Sequence, residues 1–155
     1  MKVPITRLGY RRLLAQLVHF RRVVRPQVLE ELAEARTYGV KVENQQYLIA
    51  RERHIVLQKK IQDLEDRLAQ CEVYAGRKFL FREAGFGIVA VIQNVETGDT
   101  HRYQLVGPFE SDIRNGRLSI DSPVGRSLLG RNEGDEVIVS TPLGIRIYRI
   151  LSIQD

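Results

Sequence analysis

Between Tyr38 and Gln46 the chain reads Tyr-Gly-Val-Lys-Val-Glu-Asn-Gln-Gln, and Glu43 is the one acid in that stretch. A carboxylate there has two chemistries open to it. It can offer oxygen to a hard cation or orient a water. It can equally serve as a first-turn acid that complements the positive end of a helix opening at Glu43-Asn44. Lys41 leaves the stretch locally neutral. Upstream, Arg7, Arg11, Arg21, Arg22 and Arg25 form a basic run with no acid before Glu30. Guanidinium groups are permanently charged and bind phosphate oxygens two at a time. The run therefore suits a phosphate backbone or an acidic protein surface, and a plain solvated face equally well. Cys71 is the only cysteine, which excludes a disulfide framework and a zinc cluster. His19 and His101 have no partners at metal-binding spacing.

The elements that must position these residues are two long helices. Tyr47, Ala50, His54, Leu57, Ile61, Leu64, Leu68 and Cys71 recur in alternating steps of three and four, the seam of a coiled coil. For His54 and Cys71 this makes core packing the reading, ahead of ligation. A preceding helix answers with Tyr10, Leu13, Leu17, Phe20, Val24, Val28, Leu32 and Ala35. Its seam drifts near Pro26, which has no N–H for the Arg22 carbonyl, and a local bend is expected there. Thr6 is the expected N-cap. A short polar turn between the helices forces them antiparallel. About 30 residues at about 1.5 Å each make an arm of roughly 45 Å, so the tip is expected far from the rest of the protein.

From about Phe86 the period becomes two. Residues 87–93, 100–106, 117–120, 136–140 and 145–153 read as strands, with turns at Glu96-Thr97-Gly98-Asp99 and Thr141-Pro142-Leu143-Gly144. Ser122 caps a short helix that starts at Pro123 and stops at Gly130. The expected fold class is α+β, divided into residues 1–75, an antiparallel coiled-coil hairpin, and 76–155, an antiparallel sheet domain with one short helix. Residues 1–75 carry 14 Lys/Arg against 9 Asp/Glu, whereas 76–155 carry 10 of each. The positive excess therefore sits on the first part, a footprint for nucleic acid, DNA or RNA, or another polyanion. There is no secretion signal and no apolar run near the roughly 20 residues of a membrane span. A soluble, cytoplasmic, monomeric protein with no membrane contact is expected.

Three stretches resemble the bacterial Gre transcript-cleavage factors. The first is Thr6 through Pro26, with Leu8-Gly9-Tyr10 and Arg25-Pro26. The second is the segment around Glu43-Asn44, Tyr47 and Ala50-Arg51-Glu52. The third is Ser119 through Gly130, followed by Gly134-Asp135 and Thr141-Pro142. The resemblance implies a coiled-coil hairpin followed by an FKBP-like sheet domain. It implies that the sheet domain docks at the rim of the secondary channel of RNA polymerase, with Asp121, Ser122 and Pro123 as the docking loop. The hairpin would then reach the active centre, where tip acids help hold a magnesium ion for the polymerase's own RNA cleavage. Arg36 and Arg51 match positions of a basic patch near the nascent RNA 3′ end.

Matched residue by residue, the tip of the family falls on Gly39, Val40, Lys41, Glu43 and Asn44. Val40 stands where the family has an aspartate, so a ligand has become a hydrocarbon, and Lys41 adds a positive charge beside it. Magnesium needs several hard oxygen ligands, which favours the helix-start reading of Glu43 over the catalytic or metal-ligand one. The expectation is a polymerase-binding regulator with weak or absent cleavage stimulation and no cofactor of its own. Mg²⁺ would be shared with the polymerase only if cleavage is retained. One alternative is a true cleavage factor working through Glu43. Another is a prolyl isomerase, for which the sheet half offers few aromatics, namely Phe86, Tyr103, Phe109 and Tyr148. A third is a free nucleic-acid-binding hairpin, against which stands the lack of a base-reading module.

Overall fold

The structure is a computed structural model that describes residues 2–38, 44–74 and 84–154. It divides into two compact units, Tyr10–Gln70 and Met1–Gly9 with Cys71–Asp155. The first unit is helical. Helix α1 (Arg7–His19) leads into a π-helical turn at Phe20–Val24, then α2 (Arg25–Arg36), and after the tip α3 (Gln45–Gln70). Leu13, Leu17, Val28, Leu32 and Ala35 are buried on the first arm, and Ala50, Leu57, Ile61 and Leu64 on the second. Tyr10, Phe20, Val24, Tyr47, His54 and Leu68 are half-buried. These are the residues of the expected seam, Cys71 excepted.

Cross-arm ion pairs fix the direction. Arg21 pairs with Glu65 and Glu31 with Arg53, so ten residues forward on one arm means twelve back on the other. The arms are antiparallel. Each buried aliphatic side chain contributes about 1.5–3 kcal/mol, whereas an exposed ion pair adds about 0.2–1 kcal/mol. The apolar seam holds the hairpin and the charges only set its register.

The drift near Pro26 has a structural cause that differs from a simple bend. Phe20, Val24, Val28 and Leu32 are four apart, and at about 100° per residue each step overshoots a full turn. The wider π-turn brings the seam back: the Arg25 N–H bonds the Phe20 carbonyl, five residues earlier. Pro26 then falls in the first turn of α2, where its missing N–H does little harm.

The second unit contains two sheets. Strand β1 (Val3–Thr6) pairs in parallel with β2 (Cys71–Tyr74), Val3 opposite Cys71 and Thr6 opposite Tyr74. This corrects one expectation: Cys71 lies in a strand and not on the helical seam. β1 and β2, which precede and follow the helical unit in sequence, pair with each other and so fall in the same unit as the larger sheet.

The larger sheet comprises β3 (Val89–Asn94), β4 (Thr100–Val106), β5 (Arg117–Ser119), β6 (Glu136–Thr141) and β7 (Gly144–Gln154), in the order β5-β4-β3-β7-β6. Its alternation puts Ala90, Ile92, Leu105, Leu118, Val137, Val139 and Ile150 into one core with Leu128 of helix α4 (Pro123–Leu128). The sheet is not wholly antiparallel. β4 and β5 run parallel, because two 3-10 turns at Pro108–Glu110 and Ile113–Asn115 carry the chain back between them.

Glu110, in the first of those turns, joins β1 to the sheet. Its carboxylate accepts from the Thr6 N–H at 2.7 Å, the Thr6 hydroxyl, and the Gly107 N–H at 3.2 Å. Thr6 meanwhile caps α1, its Oγ1 accepting from the Gly9 N–H at 3.0 Å. A Cβ on Gly107 would stand 1.8 Å from the Pro4 carbonyl oxygen, and one on Gly9 2.2 Å from Glu110 Oε1. At Gly107 the backbone approach admits only hydrogen, and at Gly9 a side chain would push the Glu110 carboxylate out of its bonds. Replacing Glu110 by Ala leaves three donors without their acceptor, and we expect a loss of about 1.5–3 kcal/mol in urea unfolding of the full chain. An unchanged unfolding midpoint would show that the carboxylate does not hold β1 in place.

Candidate functional site

The tip is framed by a helix end and a helix start. Helix α2 closes with the Thr37 N–H on the Glu34 carbonyl at 3.1 Å and the Tyr38 N–H on the Ala35 carbonyl at 3.2 Å. The Thr37 hydroxyl also donates to the Glu34 carbonyl, at 2.6 Å. Across from it, Asn44 is bonded on both sides. Its Oδ1 accepts from the Tyr47 N–H at 3.1 Å, capping α3, and its Nδ2 donates to the Ala35 carbonyl at 3.0 Å. That carbonyl has two lone pairs and takes both donors. Beneath it Tyr47 packs on Leu32, Ala35 and Ala50. Asn44 therefore clasps the mouth of the hairpin, a role beyond the tip position that resemblance implied for it.

Gly39, Val40, Lys41 and Glu43 lie outside the described residues. Helix α3 begins at Gln45 with Asn44 as its cap. In sequence the stretch supplies one carboxylate, Glu43, near Val40 and Lys41, whereas magnesium takes six oxygens in a near-octahedral shell and keeps several waters. Among the described residues no group of three or more His, Cys, Asp or Glu side chains is placed to hold a metal.

Arg36 and Arg51 flank this mouth, both exposed, and among the described residues neither is paired with an acid. Arg53, two residues from Arg51, is taken up by Glu31. The basic run is similarly sorted. Arg21 is engaged by Glu65, Arg25 is half-buried with its Nε unpartnered, and Arg7, Arg11 and Arg22 are exposed. Beside the mouth a groove of about 360 Å³ is lined by Glu34, Tyr38, Gln46 and Ile49 among others. Tyr38 is 71% exposed and Ile49 62%. Apolar side chains left open beside a tip were not singled out from the sequence, because each sits off the seam and reads as an ordinary surface position.

In the sheet unit, Asp121-Ser122-Pro123 forms a braced turn. The Ser122 hydroxyl donates to the Ser119 carbonyl at 2.6 Å and accepts from the Gly125 N–H at 3.1 Å, and Pro123 opens α4. The Asp121 N–H bonds Ser119 Oγ at 3.1 Å and its carbonyl takes Arg126 Nε at 2.8 Å, which leaves the carboxylate facing solvent. Of the aromatics weighed for an isomerase pocket, Tyr103 and Tyr148 pack against the sheet core. Burial, and then Tyr148 beside it, raises the Tyr103 phenol above its usual range. Phe86 meets Tyr74 edge-on at 5.7 Å. His101 stacks on Tyr103 at 5.7 Å, His19 lies 6.1 Å from Phe20, and His54 contacts Gln58.

Residues 3–73 match the sequence model for the N-terminal domain of transcription elongation factors, and residues 82–155 match the one for the C-terminal domain of GreA/GreB. The chain belongs to the GreA/GreB family. It is 38% identical to transcription elongation factor GreA of Syntrophobacter fumaroxidans, with 99% of each chain covered. It is 37% identical to that of Xylella fastidiosa, covering 99% of this chain and 98% of the relative. The crystal structure of GreA factor homolog 1 (Gfh1) of Thermus thermophilus aligns over 100% of both chains at 25% identity, with a TM-score of 0.45. No helix among the described residues of this Gre-family chain is long and apolar enough to cross a membrane.

The clasp generates a local prediction. Replacing Asn44 by Ala removes the cap of α3 and the bond to Ala35, and should cost about 1–2 kcal/mol. Amide hydrogen exchange at Tyr47 and Leu48 should accelerate while exchange at Leu57 to Leu64 stays as it was. Uniform acceleration along α3 would place the closure elsewhere.

Proposed function

We propose that this Gre-family chain binds RNA polymerase, enters its secondary channel with the hairpin, and modulates initiation or elongation while stimulating RNA cleavage weakly or not at all. It is not an enzyme; any hydrolysis is the polymerase's own. The Asp121-Ser122-Pro123 turn docks at the channel rim, and Arg36 and Arg51 face phosphates of the RNA 3′ end. The work takes place in the cytoplasm, where the polymerase is.

One observation carries this reading. The frame that presents the tip has a buried seam, the Asn44 clasp and two arginines that pair with no acid among the described residues. The segment it presents supplies a single carboxylate, with Val40 at the aspartate position of the family and Lys41 beside it. A second metal that activates water or steadies a leaving oxygen needs oxygen ligands to stay in place. Hydrocarbon and ammonium groups give none. What such a tip retains is bulk and position, enough to occlude a channel or change the active centre it enters.

The retained Glu43 supports a second reading, a cleavage factor with residual activity. Transcript cleavage on a stalled, backtracked complex with purified polymerase separates the two. Wild-type chain is expected to add little to the polymerase alone, and Val40→Asp to raise cleavage at least about tenfold, the scale of one good charge-assisted contact. Efficient cleavage by the wild type that disappears with Glu43→Ala would establish the second reading instead.

A further inference from the structure

The outer face of the larger sheet holds a pocket that the hairpin account does not use. Val89, Gln104 and Arg117 stand side by side across β3, β4 and β5. Arg102, two residues before Gln104, projects from the same face of β4. With Asn115 and Gly116 from the adjoining turn they line a pocket of about 210 Å³. Two guanidinium groups thus share one small recess.

Their partners do not account for them. The Arg117 Nη2 lies 3.2 Å from Asp112 Oδ2, yet its Nε is buried and has no hydrogen-bond partner among the described residues. A buried, charged donor left unmade is costly, and in a native fold it points to a water or an ion that completes it. Arg102 is exposed and pairs with no acid among the described residues. Asp112 is held in place for its part. The Asn115 amide donates to it at 2.6 Å, and that bond, ahead of the Arg117 charge, keeps its carboxyl below the usual range. The anchored carboxylate offsets one of the two arginines and steadies it, so the recess keeps one net positive charge. Gln104 is fixed by its own bond to the Gly87 carbonyl at 3.2 Å, and Val89 supplies an apolar wall.

We propose that this recess is an oxyanion site that takes the phosphate group of a small molecule on Arg102 and Arg117. The planar fork of a guanidinium matches phosphate oxygens two at a time, and the size of the recess suits one such group rather than a folded segment. The site is independent of the tip and of RNA cleavage.

The test is titration of the full-length ¹⁵N-labelled chain with inorganic phosphate, a nucleoside 5′-diphosphate and acetate, each at constant ionic strength. Saturable shifts confined to Gln104, Asn115, Gly116 and Arg117 are expected with phosphate or the diphosphate. Tighter binding of the diphosphate would assign a nucleotide as the source, and equal binding free phosphate. Arg102→Gln, an exposed substitution that leaves the fold intact, should weaken binding at least about tenfold. Shifts that are non-saturable or spread over the sheet, equal binding of acetate, or unchanged affinity in Arg102→Gln would each overturn the assignment.

Discussion

Two helices joined by a short turn can bury apolar surface only along one line, and the seam from Leu13 to Ala35 against Ala50 to Leu64 is that line. The frame around the tip inherits its geometry from it. The seam sets which faces of α2 and α3 meet, and so leaves Arg36 and Arg51 outside. It also brings the Ala35 carbonyl within reach of Asn44. The π-turn at Phe20–Val24 belongs to the same constraint, since it keeps the first arm in step with the second. Tyr47 completes the seam directly under the clasp, so hydrophobic packing and the last cross-arm hydrogen bond reinforce one another.

Most of this was legible in the residues themselves. Steps of three and four identified the buried and half-buried positions of the seam, and alternation of period two placed β3 to β7 within one or two residues. Ser122 and Thr6 were readable as caps because their chemistry is local. What escaped was non-local. β1 and β2 are four residues each and pair in parallel with the whole helical unit between them in sequence, so neither carries a periodic signal long enough to recognise. Cys71 continued a helical spacing that the fold abandons one residue earlier. Glu110 gave no sign of its role, because its three donors are Thr6, twice, and Gly107. The close approaches at Gly9 and Gly107 are visible only in the fold, since a glycine alone does not name its neighbour.

The tip separates two properties that are combined in a cleavage factor, presentation and ligation. Presentation depends on packing and on backbone hydrogen bonds, and here the side chains that supply them are present. Ligation depends on a few oxygen atoms and is changed by a single substitution such as the one at Val40. On the proposed reading this chain keeps the first and loses the second, and still competes for the place where the chemistry happens. The ion pairs along the arms fit this view, since each adds too little to alter the frame.

Competition is therefore the most direct measurement. Backtracked polymerase is mixed with a cleavage-competent GreA-type factor, and this chain is added in increasing amounts. The account predicts that stimulated cleavage falls in a dose-dependent manner toward the level of polymerase alone. Cleavage that is unaffected, or that rises as the chain is added, would contradict it.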